Sequence, residues 1–212
     1  MRALIVLGGE RPGAALLARC AQESDWVIAA DSGLEAFAAA GLTPDLLVGD
    51  MDSVAPEVLA RYEGRVPQHR LSCIKDDTDG VDALDLALLR GAEDVTLLGA
   101  LGGRLDHELA NLMLLVRAHR RGARARILAQ DVEIVRVNGE LSLCGAQGDT
   151  VSLLPLGQAR GVTLEGFFYP LEDRTLESDY PLGMSNVVTQ ERALVRVREG
   201  DLILFHYQKT SV

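Results

Sequence analysis

Aspartates recur in this sequence just after short apolar runs, in company with glycines. Asp31 follows the run Trp26 to Ala30 and precedes Ser32 and Gly33, while Asp50 and Asp52 follow Leu46 to Val48 and Gly49. Asp106 comes after Val95 to Leu98 and the stretch Gly99-Ala100-Leu101-Gly102-Gly103-Arg104. A further group, Lys75-Asp76-Asp77-Thr78-Asp79, opens a helical pattern. Carboxylates that converge repel one another unless a cation sits among them, and all-oxygen ligands suit Mg²⁺, or alternatively Mn²⁺, better than zinc. Mg²⁺ commonly takes one or two protein carboxylates and completes its shell with water and phosphate oxygens, the arrangement of phosphoryl-transfer sites. Glycines let backbone approach phosphate, and helix starts offer unpaired N–H groups. The guest these residues suit is a metal-bound polyphosphate.

Plainer explanations exist for several of them. Asp79, Asp82 and Asp106 also fit the first turn of a helix, where negative charge is favoured. Gly102-Gly103 also reads as a turn, and Arg104 either holds a phosphate or covers a helix face. His107 has no Cys or His partner at ligand spacing and reads as a surface or supporting residue. Asp50 and Asp52, two apart in a loop straight after a strand, read as metal ligands.

The elements that position these residues follow from periodicity. Apolar runs at Leu4 to Leu7, Trp26 to Ala30, Leu46 to Val48, Val95 to Leu98 and Ala125 to Leu128 alternate with helical patterns at about 13–22, 33–40, 56–62, 79–90 and 106–121. Strand–helix alternation predicts an α/β domain with a mainly parallel sheet in Rossmann-like layers, helices covering both faces. Ligands of such sheets bind outside the carboxyl ends of the strands, where the aspartates fall. After about residue 129 the pattern becomes one of strands only: Val132 to Val137, Glu140 to Leu143, Thr150 to Leu154, Val162 to Phe167, Ala193 to Arg198 and Leu202 to Phe205, with Pro155 to Gly161 among the separating segments. The reading is two domains, 1–128 α/β and 129–212 an all-β sandwich.

Composition narrows the function classes. The chain has 212 residues, 48% hydrophobic and 25% charged, with 31 acidic against 21 basic side chains and a net charge of −10. That balance argues against disorder and against a partner held through nucleic-acid phosphates. The apolar run at residues 1–7 is too short to span a membrane and reads as a first strand. Cys20, Cys73 and Cys144 are scattered and unpaired in motif, which fits neither a disulfide framework nor a zinc site and suggests a cytoplasmic protein.

The motifs in order resemble those of thiamine pyrophosphokinases. GDMDS at 49–53 resembles the family's GDFDS, ADSG at 30–33 its ADGG, KDDTD at 75–79 its KDxTD, and LGALGGRLDHELAN at 98–111 its GALGGRxDHxLAN. GFFYPLEDRTL at 166–176 and GMSN at 183–186 resemble its GLKYPL and G[IT]SN segments. Ser32, Met51 and Gly80 depart from the usual residues, and the carboxylates are intact.

The resemblance implies transfer of a pyrophosphoryl group from Mg-ATP to the thiamine hydroxyl, releasing AMP. It also implies a homodimer with thiamine held between the α/β part of one subunit and the sandwich of the other. By motif position, Asp50, Asp52 and Asp79 fall among the metal-binding aspartates. Asp106 joins them as catalytic, and Asp79 and Asp106 are both candidates for the base. Asp31, Ser32, Gly33, Lys75, Asp76, Thr78, Gly102, Gly103 and Arg104 fall on the ATP side, and Tyr169, Ser185 and Asn186 on the thiamine side. A tyrosine face suits a cationic aromatic ring, although alternation must send at least one of Phe167, Phe168 and Tyr169 into packing. The same fold would also serve transfer to another hydroxymethyl heteroaromatic such as a pterin, or a non-catalytic thiamine or nucleotide sensor.

Overall fold

The computed structural model describes residues 1–69 and 78–209. Two compact units divide at the Gln130–Asp131 bond. In the first, every strand pairing is parallel: β1 (Arg2–Val6), β2 (Trp26–Ala30), β3 (Leu46–Val48), β4 (Gln68–His69), β5 (Asp94–Leu98) and β6 (Arg124–Leu128) lie in the order β4-β3-β2-β1-β5-β6. The helices between them are α1 (Ala14–Gln22), α2 (Leu34–Ala40), α3 (Pro56–Tyr62), α4 (Asp79–Leu89) and α5 (Leu105–Arg120).

Strand sequences such as WVIAA are buried along their whole length because both faces of the sheet are covered. Leu4, Val6, Val27, Ala29 and Leu47 pack with Leu17, Phe37 and Tyr62 of α1 to α3. Ile5, Ile28 and Leu97, which alternation turns to the other face, are fully buried, and α4 packs against β1 to β3 while α5 packs on β6. The winding reverses between β1 and β5, whose successors run outward in opposite directions. The loops beyond these two strands therefore part, and a crevice opens at the carboxyl edge.

The second unit is an antiparallel sandwich. Its strands are β7 (Val132–Arg136), β8 (Glu140–Cys144), β9 (Thr150–Glu165), β10 (Leu171–Glu177), β11 (Asn186–Val187), β12 (Arg192–Arg196) and β13 (Glu199–Tyr207). Around β9 one sheet carries β11, β13 and β7, and the other carries β10, β12 and β8. Val151, Leu153, Val162, Leu164, Val195 and Leu202 fill the space between them.

Here the sequence reading needs a correction. Pro155 to Gly161, taken as a separator, is the middle of one 16-residue strand, β9. Strands that change sheets do so through bends; here Gly157 and Gly161 take φ of 85° and 67°, and the chain passes from the β13 ladder to the β12 ladder. Pro155 is tolerated because β13 pairs it on one side while β11 reaches only to Thr150 and Val151 on the other. The strands β4, β10 and β11 were not expected either: two are only two residues long, and β10 is mostly polar and exposed.

Candidate active site

A cleft of about 470 Å³ opens at the reversal of winding, lined by Leu7 to Gly9 after β1, Asp31 and Ser32 after β2, Ala100, Gly103 and Arg104 after β5, and the starts of α4 and α5. The loops after β1 and β5 are laced together: Gly9 N–H donates to Gly99 C=O at 2.8 Å and Glu10 N–H to Leu101 C=O at 2.5 Å. A Cβ on Gly9 would lie 2.2 Å from the Leu101 carbonyl oxygen, so this approach requires glycine. Asn111, from α5, donates its side-chain amide to Ala100 C=O at 2.8 Å and holds the loop after β5 from the other end.

The aspartates expected at this edge converge in part. Carboxylate oxygens of Asp31, Asp50 and Asp52 lie within 4.8 Å of one another. Local backbone geometry enforces this. Asp31 adopts φ 47° and Met51 φ 65°, left-handed conformations that non-glycine residues rarely hold. Met51 is buried in the α1–α3 core, pinning the loop so that its two flanking aspartates stay exposed. Asp50 Oδ1 accepts the Asp52 N–H at 3.2 Å, and Asp52 Oδ1 accepts the Ser53 hydroxyl at 3.0 Å.

Asp79 stands beside this group. It lines the cleft, and Gly49, at φ 119°, leaves so little room that a Cβ there would lie 3.0 Å from Asp79 Oδ1. Burial first, and then the charges of Asp31, Asp50, Asp82 and Asp52, push its carboxyl up to about 6. Among the described residues, none gives a hydrogen bond to the buried Asp31 Oδ1. A buried orphan oxygen among like charges, held by strained backbone, is what a site fitted for a hard cation presents.

Other expected residues fall as follows. Ser32 borders the cleft, whereas Gly33 is buried against β1, where a Cβ would lie 2.1 Å from Val6 C=O. Thr78 caps α4, its hydroxyl accepting the Val81 N–H at 3.4 Å, and also lines the cleft. Lys75 and Asp76 lie outside the described residues. Gly102 and Gly103 direct their N–H groups to Glu108. Arg104 borders the cleft, but its guanidinium grips Asp106 through Nε–Oδ1 at 3.1 Å and Nη2–Oδ2 at 2.5 Å. Asp106 is exposed, and its hydrogen bond to Arg104 holds its carboxyl below the usual range.

Sequence reasoning gave Asp31 to the nucleotide rather than to the metal-binding set, and it did not single out Glu108 or Asn111. His107, read as a surface or supporting residue, lines the cleft.

In the sandwich, Phe167 takes the packing role, being buried, while Phe168 and Tyr169 are each 64% exposed and meet edge to face at 4.8 Å. Asn186 is buried and clamps Tyr169 by both backbone groups. Its Oδ1 accepts the Tyr169 N–H at 3.0 Å and its Nδ2 donates to the Tyr169 C=O at 2.8 Å. Ser185, at φ 54°, turns the chain beside it and leaves its side chain exposed.

Comparison with known proteins accounts for both units. Residues 17–127 match the model of the thiamin pyrophosphokinase catalytic domain, and residues 134–202 match that of the thiamin pyrophosphokinase vitamin B1 binding domain. Thiamine pyrophosphokinase of Bacillus subtilis is 29% identical over 204 residues, covering 94% of this chain and 95% of the relative. A crystal structure of thiamine pyrophosphokinase from that organism superposes with a TM-score of 0.86 at 25% identity over 99% of this chain and 100% of the other. The Geobacillus thermodenitrificans enzyme structure gives 0.83 at 27% identity, covering 100% and 99%. With both domain models matched in order along an α/β unit and a β-sandwich, this chain belongs to the thiamin pyrophosphokinase family.

Proposed function

We propose that this protein transfers the pyrophosphoryl group of ATP to the hydroxyl of thiamine, forming thiamine diphosphate and AMP. The observation that carries the reading is the convergence of Asp31, Asp50 and Asp52, with an Asp31 oxygen that has no partner among the described residues, beside the cleft at the sheet's switch point that Asp31 also lines. Family membership supplies the substrates. The thiamine oxygen attacks the β-phosphorus, the bond from that phosphorus to the oxygen bridging it to the α-phosphorus breaks, AMP departs, and the hydroxyl proton is released.

Asp31, Asp50, Asp52 and Asp79 are the residues that would hold the divalent cation, Mg²⁺ in our reading. When bound, the cation offsets carboxylate repulsion and neutralises charge on the phosphate oxygens. The remaining contributions come from positioning. Gly9 and Gly103 let backbone come close to the phosphates, Thr78 sets the start of α4 at the cleft, and Arg104 stands at its rim for the charge that develops on transfer. Of the two carboxylates considered for the proton, Asp79 lines the cleft while Asp106 is turned to Arg104, which favours Asp79 as the acceptor. A loose transition state asks little of that base.

On the acceptor side Tyr169 presents an exposed ring suited to stacking on a cationic heteroaromatic, with Asn186 fixing its backbone and Ser185 at hand. Apolar side chains left exposed in each unit, Leu105, Leu109 and Met113 along α5 and Phe168 and Met184 in the sandwich, support the homodimer with shared sites. Sedimentation of the purified protein tests it. No described helix is long and apolar enough to cross a membrane, and the scattered cysteines favour the cytoplasm.

The deciding assay supplies ATP and Mg²⁺ with thiamine, or with a hydroxymethyl pterin, and measures AMP. AMP formed with thiamine, together with thiamine diphosphate, is the expected result. AMP formed with the pterin alone redirects the assignment, and nucleotide binding without turnover on either acceptor makes the protein a sensor.

A further inference from the structure

Glu108 places a carboxylate where the loop after β5 offers backbone donors. Its Oε1 accepts the N–H of Gly102 at 2.9 Å and the N–H of Gly103 at 3.0 Å, and the residue borders the same cleft as Asp31, Asp79 and Arg104. Gly102 takes φ 77°, which turns the two consecutive amides toward one side. Amides converging in this way form a concavity for an anionic oxygen, and phosphate and carboxylate oxygens compete for it on equal chemical terms. The guanidinium of Arg104 is likewise engaged by the chain's own Asp106.

We infer that Glu108 is an internal occupant of the phosphate subsite, which a phosphate group of the nucleotide must displace, and that it thereby sets the affinity of the site for nucleotide. The inference rests on the reading of this cleft as the ATP site. Glu108 is a specificity-determining residue here, acting through the two amides, and not a catalytic one. Displacement returns its carboxylate to solvent beside the exposed start of α5, where negative charge remains favoured by the helix.

The experiment measures the dissociation constant of magnesium pyrophosphate by calorimetry, with no acceptor present, on wild type, Glu108→Gln and Glu108→Ala. Removing a competitor that makes two charge-assisted hydrogen bonds, partly offset by loop ordering, should tighten binding about tenfold in Glu108→Ala. Glu108→Gln, which keeps the shape and an acceptor but loses the charge, should fall between. A permanent clamp that only shapes the loop predicts the reverse order. Equal or weaker binding by Glu108→Ala, while wild type still converts thiamine, overturns this inference and leaves the proposed function standing. Failure of pyrophosphate to bind any of the three proteins overturns both.

Discussion

The carboxyl edge of the α/β unit and the acidic residues of the sandwich treat the same side chain in opposite ways. In the sandwich, several acids are matched by bases: Asp201 accepts from Arg136 Nε at 2.6 Å, Asp149 pairs with His206 at 2.7 Å, and Glu140 and Asp173 are gripped by Arg196 and Arg198. At the edge of the parallel sheet, Asp31, Asp50 and Asp52 crowd one another, with strained backbone at Asp31 and Met51. The paired acids are neutralised where they stand, the half-buried Asp201 and Asp149 most fully. Those at the sheet edge cost the fold something and are kept for what they bind, a trade between stability and activity common at functional sites.

The sharpest way to break this contrast is Asp52→Asn. It should lower pyrophosphoryl transfer on the order of a thousandfold, a scale typical of losing one electrostatic group aimed at the reacting charge, with the thermal midpoint almost unchanged. A steady-state AMP assay beside a melting curve reads both, and retained turnover would remove Asp52 from the metal-binding set. The converse change, Asp201→Ala, should cost about 2–3 kcal/mol of stability by leaving Arg136 in a mostly buried position without this carboxylate. Denaturant titration measures it, and kcat on the folded fraction should not move.

Smaller effects refine the comparison. Tyr169→Ala should raise the KM for thiamine about tenfold, within the range of a cation–π contact, and leave stability nearly intact because the ring is exposed. A variant that cannot fold would show the ring to be part of the core instead.

Asp79→Asn should stabilise the metal-free protein. The folded pKa of about 6 lies above the unfolded value of 3.8, so ionisation penalises the native state. That penalty is complete above pH 6, shrinks between 6 and 4, and is absent below the unfolded pKa. The gain at pH 8 should be about 1 kcal/mol, after the discount that a partly exposed carboxylate requires, and should vanish by pH 4. Melting curves in chelator at both pH values decide it, and a gain that grows toward low pH would contradict the crowding argument.

Much of the α/β unit was legible because its signals are local. Trp26 to Ala30 and Leu46 to Val48 are strands too apolar for any half-exposed element, and Pro56 marks the start of the helix that ends at Tyr62. The sandwich was less legible at β9, where Pro155 and the glycines that signal a turn in most contexts instead bend one strand between two sheets. β10 carries mostly exposed polar residues and has no apolar alternation to announce it.

In the site, Asp50 and Asp52 could be named from their places in a loop straight after a strand, and Asp79 from the resemblance of its motif. Their closeness to Asp31 could not. Nor could the clamp of Asn186 on Tyr169 across 17 residues, or the reach of Glu108 back to Gly102.

What the sequence determined by itself is the order of the elements along the chain, the parallel character of the first sheet, and hence the edge on which the aspartates must fall, since periodicity and the short connections between elements act within a few residues of chain. What only the tertiary structure decided is which of those carboxylates share a space and which are neutralised by an arginine. Charge interactions depend on distances of a few ångströms between residues far apart in the chain, and those distances exist only once the loops beyond β1, β2, β3 and β5 have been brought to the same edge.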